Sequence, residues 1–312
     1  MPDFRDSDRA RRQSWFGLKK YIKTALSLPG VHLAMRLLAP RVRRVRTGRL
    51  PAPRRVREVR GYVDGGQYVL LDPHRCEIAK ELYWGDGRRP EVADAFALDV
   101  MVALAKDART FLDVGAYTGV FTLAVTAANP GLQAHAFEIV PAVADTLARN
   151  IARNDVADRT QMHTVGVGDP QMTMQVPAGD SGSALPSFYS SDMQFDEGTG
   201  VSFVALDEFT GTVADPVVMK IDVEGGEQTL LRFGQKFLAT HRPDILCEVL
   251  ADADGQVLES LLAPHRLAFY AVGKGHLHRR QHLVPDPAYR DWLISARTPE
   301  QLRELGIPVA ES

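Results

Sequence analysis

Apolar and polar residues along the chain fall into short runs that switch between two periods. Residues 110–114 (TFLDV), 216–222 (PVVMKID) and 243–250 (PDILCEVL) are short, mostly apolar runs, the pattern of strands buried on both faces, and 133–139 (QAHAFEI) and 160–167 (TQMHTVGV) read as strands of more mixed character. Between them, residues 119–129, 141–154, 225–240 and about 255–263 carry apolar residues at helical spacing, and Pro141 opens the second of these helices. Upstream, residues 61–73 alternate around Gly65-Gly66 like a hairpin, and 90–108 read as an amphipathic helix. Downstream, 266–273 and 276–284 are two further β-like runs. Strands alternating with helices predict an α/β fold, a mostly parallel sheet with helices on both faces. Residues 171–206 interrupt the rhythm with Gly, Ser and Asp clusters and one strand-like run, VSFVAL, and read as a β insertion or lid.

The first 60 residues do not share this pattern. Residues 15–39 form two short amphipathic segments broken at Pro29-Gly30, and an Arg-rich, Pro-punctuated stretch follows. Charge marks the same boundary: the formal net charge of -2 divides into 17 Lys and Arg against 4 acids in residues 1–60, and 20 against 35 in the remainder. The expected organisation is a basic amphipathic arm (1–60), a main domain (61–290) and a C-terminal tail (291–312). Trp15, Phe16, Leu18, Tyr21, Ile22 and Leu26 beside Lys19, Lys20 and Lys23 suit either an anionic membrane surface or a second subunit in a homodimer. The acidic body argues against a nucleic-acid partner. Two cysteines, Cys76 and Cys247, are too few for a disulfide framework and fit a reducing compartment. With no signal peptide evident, the expected location is cytoplasmic, including a peripheral position on the inner membrane surface.

Candidate chemistry collects at the ends of the apolar runs, where open parallel sheets bind ligands. DVGAYTG (113–119) is a strand-to-helix turn with Gly115 and Gly119, but Tyr117 and Val120 break the G-x-G-x-x-G spacing of a pyrophosphate loop. Glu138 ends the next strand, 23 residues beyond Gly115, a placement suited to the two hydroxyls of a ribose; the alternative is that it caps the helix begun by Pro141. Together the two features indicate a ribose-containing ligand with no phosphate requirement. A third run, VMKIDVEGGEQTLL (218–231), places Asp222 at a strand tip with Glu224 and Glu227 just beyond. Glu227 fits a helix N-terminus, whereas Asp222 sits where a ligand would.

With these motifs in view, the chain resembles the class I S-adenosylmethionine-dependent methyltransferases, and among them the FkbM type. The resemblance is carried by FLDVGAYTGVFTL (111–123), AFEIVP (136–141), KIDVEGGEQTLL (220–231) and RPDILCEV (242–249), and it covers about residues 80–275. It implies a Rossmann-like sheet and S-adenosyl-L-methionine as cofactor. Asp113, Gly115, Ala116, Tyr117 and Gly119 would surround the cofactor's methionine and ribose portions, Glu138 would bind the ribose hydroxyls, and Asp169 would reach the adenine amino group. Tyr117 departs from the asparagine associated with this loop. A turn before a strand also favours Asp at position 169.

Alcohol methylation calls for a carboxylate that orients the hydroxyl and accepts its proton. Asp222 is the first candidate, Glu248 at the neighbouring strand tip the second, and Glu224 would bind acceptor hydroxyls or support Asp222. The resemblance favours a sugar hydroxyl of a glycan or glycosylated natural product, or another small-molecule acceptor, with Phe188, Tyr189 or Trp84 able to stack on a ring. The same acids could instead hold a divalent metal, the less favoured reading because no neighbouring Asp-Asn pair completes the set. His276, His278 and His282 alternate as solvated strand residues do. Nucleic-acid amino methylation lacks its Asn/Asp-Pro-Pro-aromatic turn here, and pyrimidine-carbon methylation lacks its cysteine. A nicotinamide dehydrogenase would need different glycine spacing. A non-catalytic S-adenosylmethionine-binding protein remains the competing class.

Overall fold

The computed structural model describes residues 50–177 and 198–310. Residues 1–49 of the expected basic arm, and Phe188 and Tyr189, lie outside the described residues.

The chain enters as the hairpin β1 (Glu58–Val63) and β2 (Gly66–Leu71), followed by helices α1 (Glu77–Trp84) and α2 (Val92–Ala105). Alternation then begins: β3 (Thr110–Val114), α3 (Val120–Ala128), β4 (Gln133–Phe137), α4 (Pro141–Arg153) and β5 (Thr160–His163). A small three-stranded sheet interrupts it, built from β6 (Gly166–Val167), β7 (Thr173–Pro177) and β8 (Gly198–Val204). The series resumes with β9 (Val217–Ile221), α5 (Glu227–Arg232), α6 (Gln235–His241), β10 (Asp244–Glu248) and α7 (Gly255–Leu262). It closes with β11 (Ala268–Val272), β12 (Leu277–Arg280), β13 (Asp291–Ser295) and α8 (Pro299–Glu304).

The main sheet has eight strands in the order β12-β11-β13-β10-β9-β3-β4-β5. β10, β9, β3, β4 and β5 run parallel, β13 is antiparallel to both β10 and β11, and β12 pairs antiparallel with β11. From β3 the chain builds outward through β4 and β5, then crosses back to the other side of β3 as β9 and β10. The direction of winding therefore reverses between β3 and β9, which opens a crevice at their C-terminal ends.

Period-2 alternation sorts the strand side chains into two apolar layers. Val217, Met219 and Ile221 pack with Leu230, Leu231, Phe237 and Leu238 on one face, while Val218, Phe111 and Leu246 pack with Met101, Leu104 and Leu123 on the other. Lys220 occupies a position of this second face and is 6% exposed. The hairpin docks on α4 through Asn154, whose side chain both accepts from and donates to Val69, and Asn150, which accepts from the Leu71 N–H.

Three expectations are corrected. Residues 291–295 form no tail: β13 is a buried strand in the middle of the sheet, because its edges are satisfied by β10 and β11, partners that its own five residues do not announce. The helix expected over 225–240 is two helices, broken at Phe233-Gly234 where Leu206 packs on the glycine. The strand expected over 160–167 splits after His163, its second half joining β8 in the small sheet. α1 had no counterpart in the sequence reading.

Candidate functional site

At the crevice, backbone meets backbone. Gly115 has φ +82°, and a Cβ built on it would lie 1.8 Å from the Asp222 carbonyl oxygen, so this crossing of the β3 and β9 ends admits only glycine. The Asp222 N–H donates to the Val114 carbonyl at 2.9 Å, while the Gly115 and Ala116 N–H groups both donate to the Phe137 carbonyl. The loop is thus pinned to the strands on either side. Gly119, also left-handed, begins α3 against the side chain of Leu147. Asn150 secures the loop from α4 by donating to the Thr118 carbonyl at 2.8 Å.

Glu138 lies at the far end of this loop, 8% exposed. One carboxylate oxygen accepts the Tyr117 N–H at 2.9 Å and the other the Val140 N–H at 2.8 Å. Each oxygen retains a second lone pair. Burial pushes the Glu138 carboxyl up to about 7, against the pull of those two amides. The bond from Val140 closes the turn into α4, which is the capping alternative, and both carboxylate oxygens keep acceptor capacity beyond it.

Tyr117 adopts φ +52°, a region where asparagine is tolerated far better than a ring-bearing residue. Its backbone N–H serves Glu138, and its phenol lies against the Cys76 thiol. Asp113 shapes the loop from behind. It is 1% exposed, and one carboxylate oxygen takes both the N–H and the hydroxyl of Thr122, which ties β3 to α3. Ala116 is buried under the same loop. Asp169 stands at the end of β6 in the small sheet, where its side chain accepts the Gln171 N–H in a local turn.

Across the crevice the acids converge. Asp222, Glu224 and Glu248 each place a carboxylate oxygen within 4.8 Å of the others, a spacing that a divalent cation could span. Two side-chain cations already serve the cluster: Lys220 Nζ donates to Asp222 at 2.8 Å, and Arg290 donates to Glu248. Parallel and antiparallel register bring Asp222, Glu248 and Asp291 into one row across three adjacent strand tips, with Glu224 on the turn beyond β9. Arg89, on the approach to α2, bonds Glu81 and Asp94 at the border of this row.

Burial favours the neutral form of every acid here, and the neighbours decide the outcome. At Asp222 burial is overcome by the charge of Lys220, then by the Glu248 hydrogen bond, and its carboxyl stays below the usual range. Glu248 is driven up by burial and then by Asp222, with Arg290 opposing. The pair therefore holds one proton, on Glu248. Glu224 is raised by burial and by Asp222, and Asp291 is raised by burial to about 6. Lys220, buried as it is, remains charged because Asp222 and Asp113 outweigh its desolvation. Glu227 is 2% exposed and accepts the Gly225 N–H, the helix-start role expected of it.

The sequence reading missed Lys220, Arg290, Asp291 and Arg89. A lysine at a core position of a buried strand was a visible signal; the other three lie outside the motifs. Trp84 is 7% exposed within α1, so no ring face is open to a sugar. His282 pairs with Glu259 and His278 packs on Tyr289, which accounts for both in structural terms. No helix among the described residues is long and apolar enough to cross a membrane.

The family model for the methyltransferase FkbM domain matches residues 113–281. Among solved structures, methyltransferase FkbM from Methylobacillus flagellatus is 18% identical, with 60% of this chain and 44% of that chain covered and a TM-score of 0.41. This chain therefore spans under half the length of that protein. An O-methyltransferase from Bacillus cereus in complex with SAH is 16% identical, with 66% and 80% covered and a TM-score of 0.37. No curated protein matches the chain. The matched domain contains both the loop after β3 and the acids after β9 and takes in more than half of the residues, and the chain belongs to the FkbM methyltransferase family.

Proposed function

We propose that the protein is an S-adenosylmethionine-dependent O-methyltransferase acting on a hydroxyl, the acceptor being a sugar in a glycan or glycosylated natural product. The observation that carries the reading is the pairing of two unlike carboxylate sites on one crevice: a single Glu138 held by backbone amides, and an acid row at the tips of β9, β10 and β13. The first suits a ribose and the second a polyhydroxylated acceptor.

The residues present fit the cofactor. Gly115 lets the loop after β3 close on the Asp222 carbonyl, which sets the two strand ends side by side at the crevice, and Glu138 keeps lone pairs for two hydroxyls. Gly115, Ala116, Tyr117 and Gly119 would form the cradle, with Asp113 fixing it from beneath. Bound there, S-adenosylmethionine would supply an electrophilic methyl group on a sulfonium. The chain's own contribution is to orient an acceptor hydroxyl toward that methyl and to accept its proton, and a carboxylate among Asp222, Glu224 and Glu248 provides both. Lys220 and Arg290 offset much of the cluster's charge, which favours metal-free chemistry over a bridging divalent ion.

Incubation with methyl-labelled S-adenosylmethionine and separated saccharide, lipid, protein and nucleic-acid fractions tests the reading. An alkali-stable methyl ether on saccharide is the expected product. Label confined to protein or nucleic acid would overturn the acceptor class, and activity lost with a chelator and restored by Mg²⁺ would replace the metal-free mechanism.

A further inference from the structure

Three acids stand near the transfer point, and the sequence ranked Asp222 first among them as proton acceptor. Hydrogen-bond accounting ranks them differently. One oxygen of Asp222 holds the Lys220 ammonium at 2.8 Å, and its carboxylate also accepts from Glu248. Glu248 in turn receives the Arg290 guanidinium, with its side chain 12% exposed. Both residues are thereby committed to a frame of side-chain charges. Glu224 forms no hydrogen bond or ion pair with any described residue, although its oxygen lies within 4.8 Å of the other two acids. It is half-buried on the turn that leaves β9, and it keeps all its lone pairs for a ligand.

We propose that Glu224 is the catalytic base, the group that receives the acceptor's hydroxyl proton, and that Asp222 and Glu248 are positioning residues that fix the charge around it. This inference rests on the methyl-transfer reading given above. The site itself stands on the switch point of the sheet and on membership of a methyltransferase family, so the acids only decide which group does the work.

Electrostatics agree with the assignment. A general base works best when its proton affinity approaches the working pH. Lys220 stabilises the charged form of Asp222 and makes it a poor proton acceptor, whereas burial and the adjacent Asp222 charge raise Glu224 while leaving it unengaged. Asp291 is the remaining competitor, since it too has no hydrogen bond or ion pair to a described residue. Strand order disfavours it. β13 is separated from β3 by β9 and β10, which puts it about 14 Å from the cofactor loop at roughly 5 Å per strand, whereas Glu224 leaves β9, the immediate neighbour of β3.

The step balances. The acceptor oxygen bonds to the methyl carbon, the sulfur keeps the electron pair of the broken S–C bond and loses its positive charge, and the hydroxyl hydrogen passes to Glu224. The neutral carboxylic acid then returns its proton to water once product has left.

The test compares Glu224→Ala, Glu224→Gln and Asp222→Ala in the full chain, with retained S-adenosylhomocysteine binding by calorimetry as the check on folding. Turnover is read on a panel of methyl glycosides. Both Glu224 variants are expected to lose about 10²–10⁴-fold in kcat with little change in KM, and added formate should restore Glu224→Ala but not Asp222→Ala. A second readout needs no acceptor: in ¹³C spectra of the carboxyl groups, Glu224 should titrate as a lone carboxylate while Asp222 keeps its ionised shift across the same range. Glu224→Gln within threefold of wild type, formate rescue confined to Asp222→Ala, or a Glu224 signal that titrates jointly with Asp222 would each overturn the assignment. If wild type labels no glycoside, the sugar reading fails, and the same variants run on the fraction that does take label still decide the base. Labelling of no fraction at all removes both.

Discussion

The two ends of the crevice recognise by different physical means. On the β3–β4 side a single carboxylate is held by two backbone N–H groups beside a loop whose Gly115 has no room for a Cβ. On the β9–β10–β13 side, four acids and the cations Lys220, Arg290 and Arg89 form a network in which the state of each group depends on its neighbours. Backbone geometry tolerates almost no substitution and suits a ligand that never changes. A side-chain network can be retuned one residue at a time.

If that contrast is right, the largest effect belongs to the backbone side. Gly115→Ala combines a left-handed strain with a backbone overlap at the Asp222 carbonyl and should destabilise the fold by roughly 3–6 kcal/mol while abolishing S-adenosylhomocysteine binding. Thermal unfolding and calorimetry read both, and a stable, binding-competent variant would break the comparison at its first term. Next is Lys220→Met, which leaves Asp222 and the buried Asp113 without their shared cation. Asp222 is 35% exposed, so the loss falls near the lower end of the ~3–5 kcal/mol expected for a broken buried pair. Urea unfolding measures it, and an unchanged midpoint would show the network to be decorative.

A smaller effect is expected for Glu138→Ala, which should weaken S-adenosylhomocysteine binding by about 1–3 kcal/mol and leave acceptor binding alone. Smallest is a pH effect confined to the same residue. Glu138 keeps its proton up to about 7 in the folded chain, whereas the unfolded chain releases it at the usual carboxylate value. Its contribution to stability therefore falls as pH rises between those two values and is level above the upper one. Ribose hydroxyls donate best to the ionised form, while the neutral acid still accepts, so cofactor affinity should rise by no more than ~10-fold in total as pH approaches 7. Glu138→Gln should flatten that dependence; a slope that persists would place the titrating group elsewhere.

Much of the architecture is local, and it was legible for that reason. The apolar runs that became β3, β4, β9 and β10, the glycines of the turn after β3, and the spacing from Gly115 to Glu138 all lie within single strand–turn–helix units, where period and turn chemistry act over a few residues. The acids at 222, 224 and 248 could be singled out because they lie at strand ends or on the turn just beyond one. β13 was not legible, since a five-residue apolar run takes its meaning only from the strands on either side. Asp291 and Arg290 went unseen with it.

Sequence by itself determined the fold class, the ligand edge of the sheet and the candidate residues on it, because these follow from patterns that each segment carries alone. Tertiary structure decided what each candidate is bonded to. Asp113 and Glu227 bond into the turns beneath the crevice, Asp222 and Glu248 are engaged by Lys220 and Arg290, and Glu224 is left open. The protonation and hydrogen bonding of a carboxylate depend on burial and on charges brought from other strands, and no spacing along the chain encodes those.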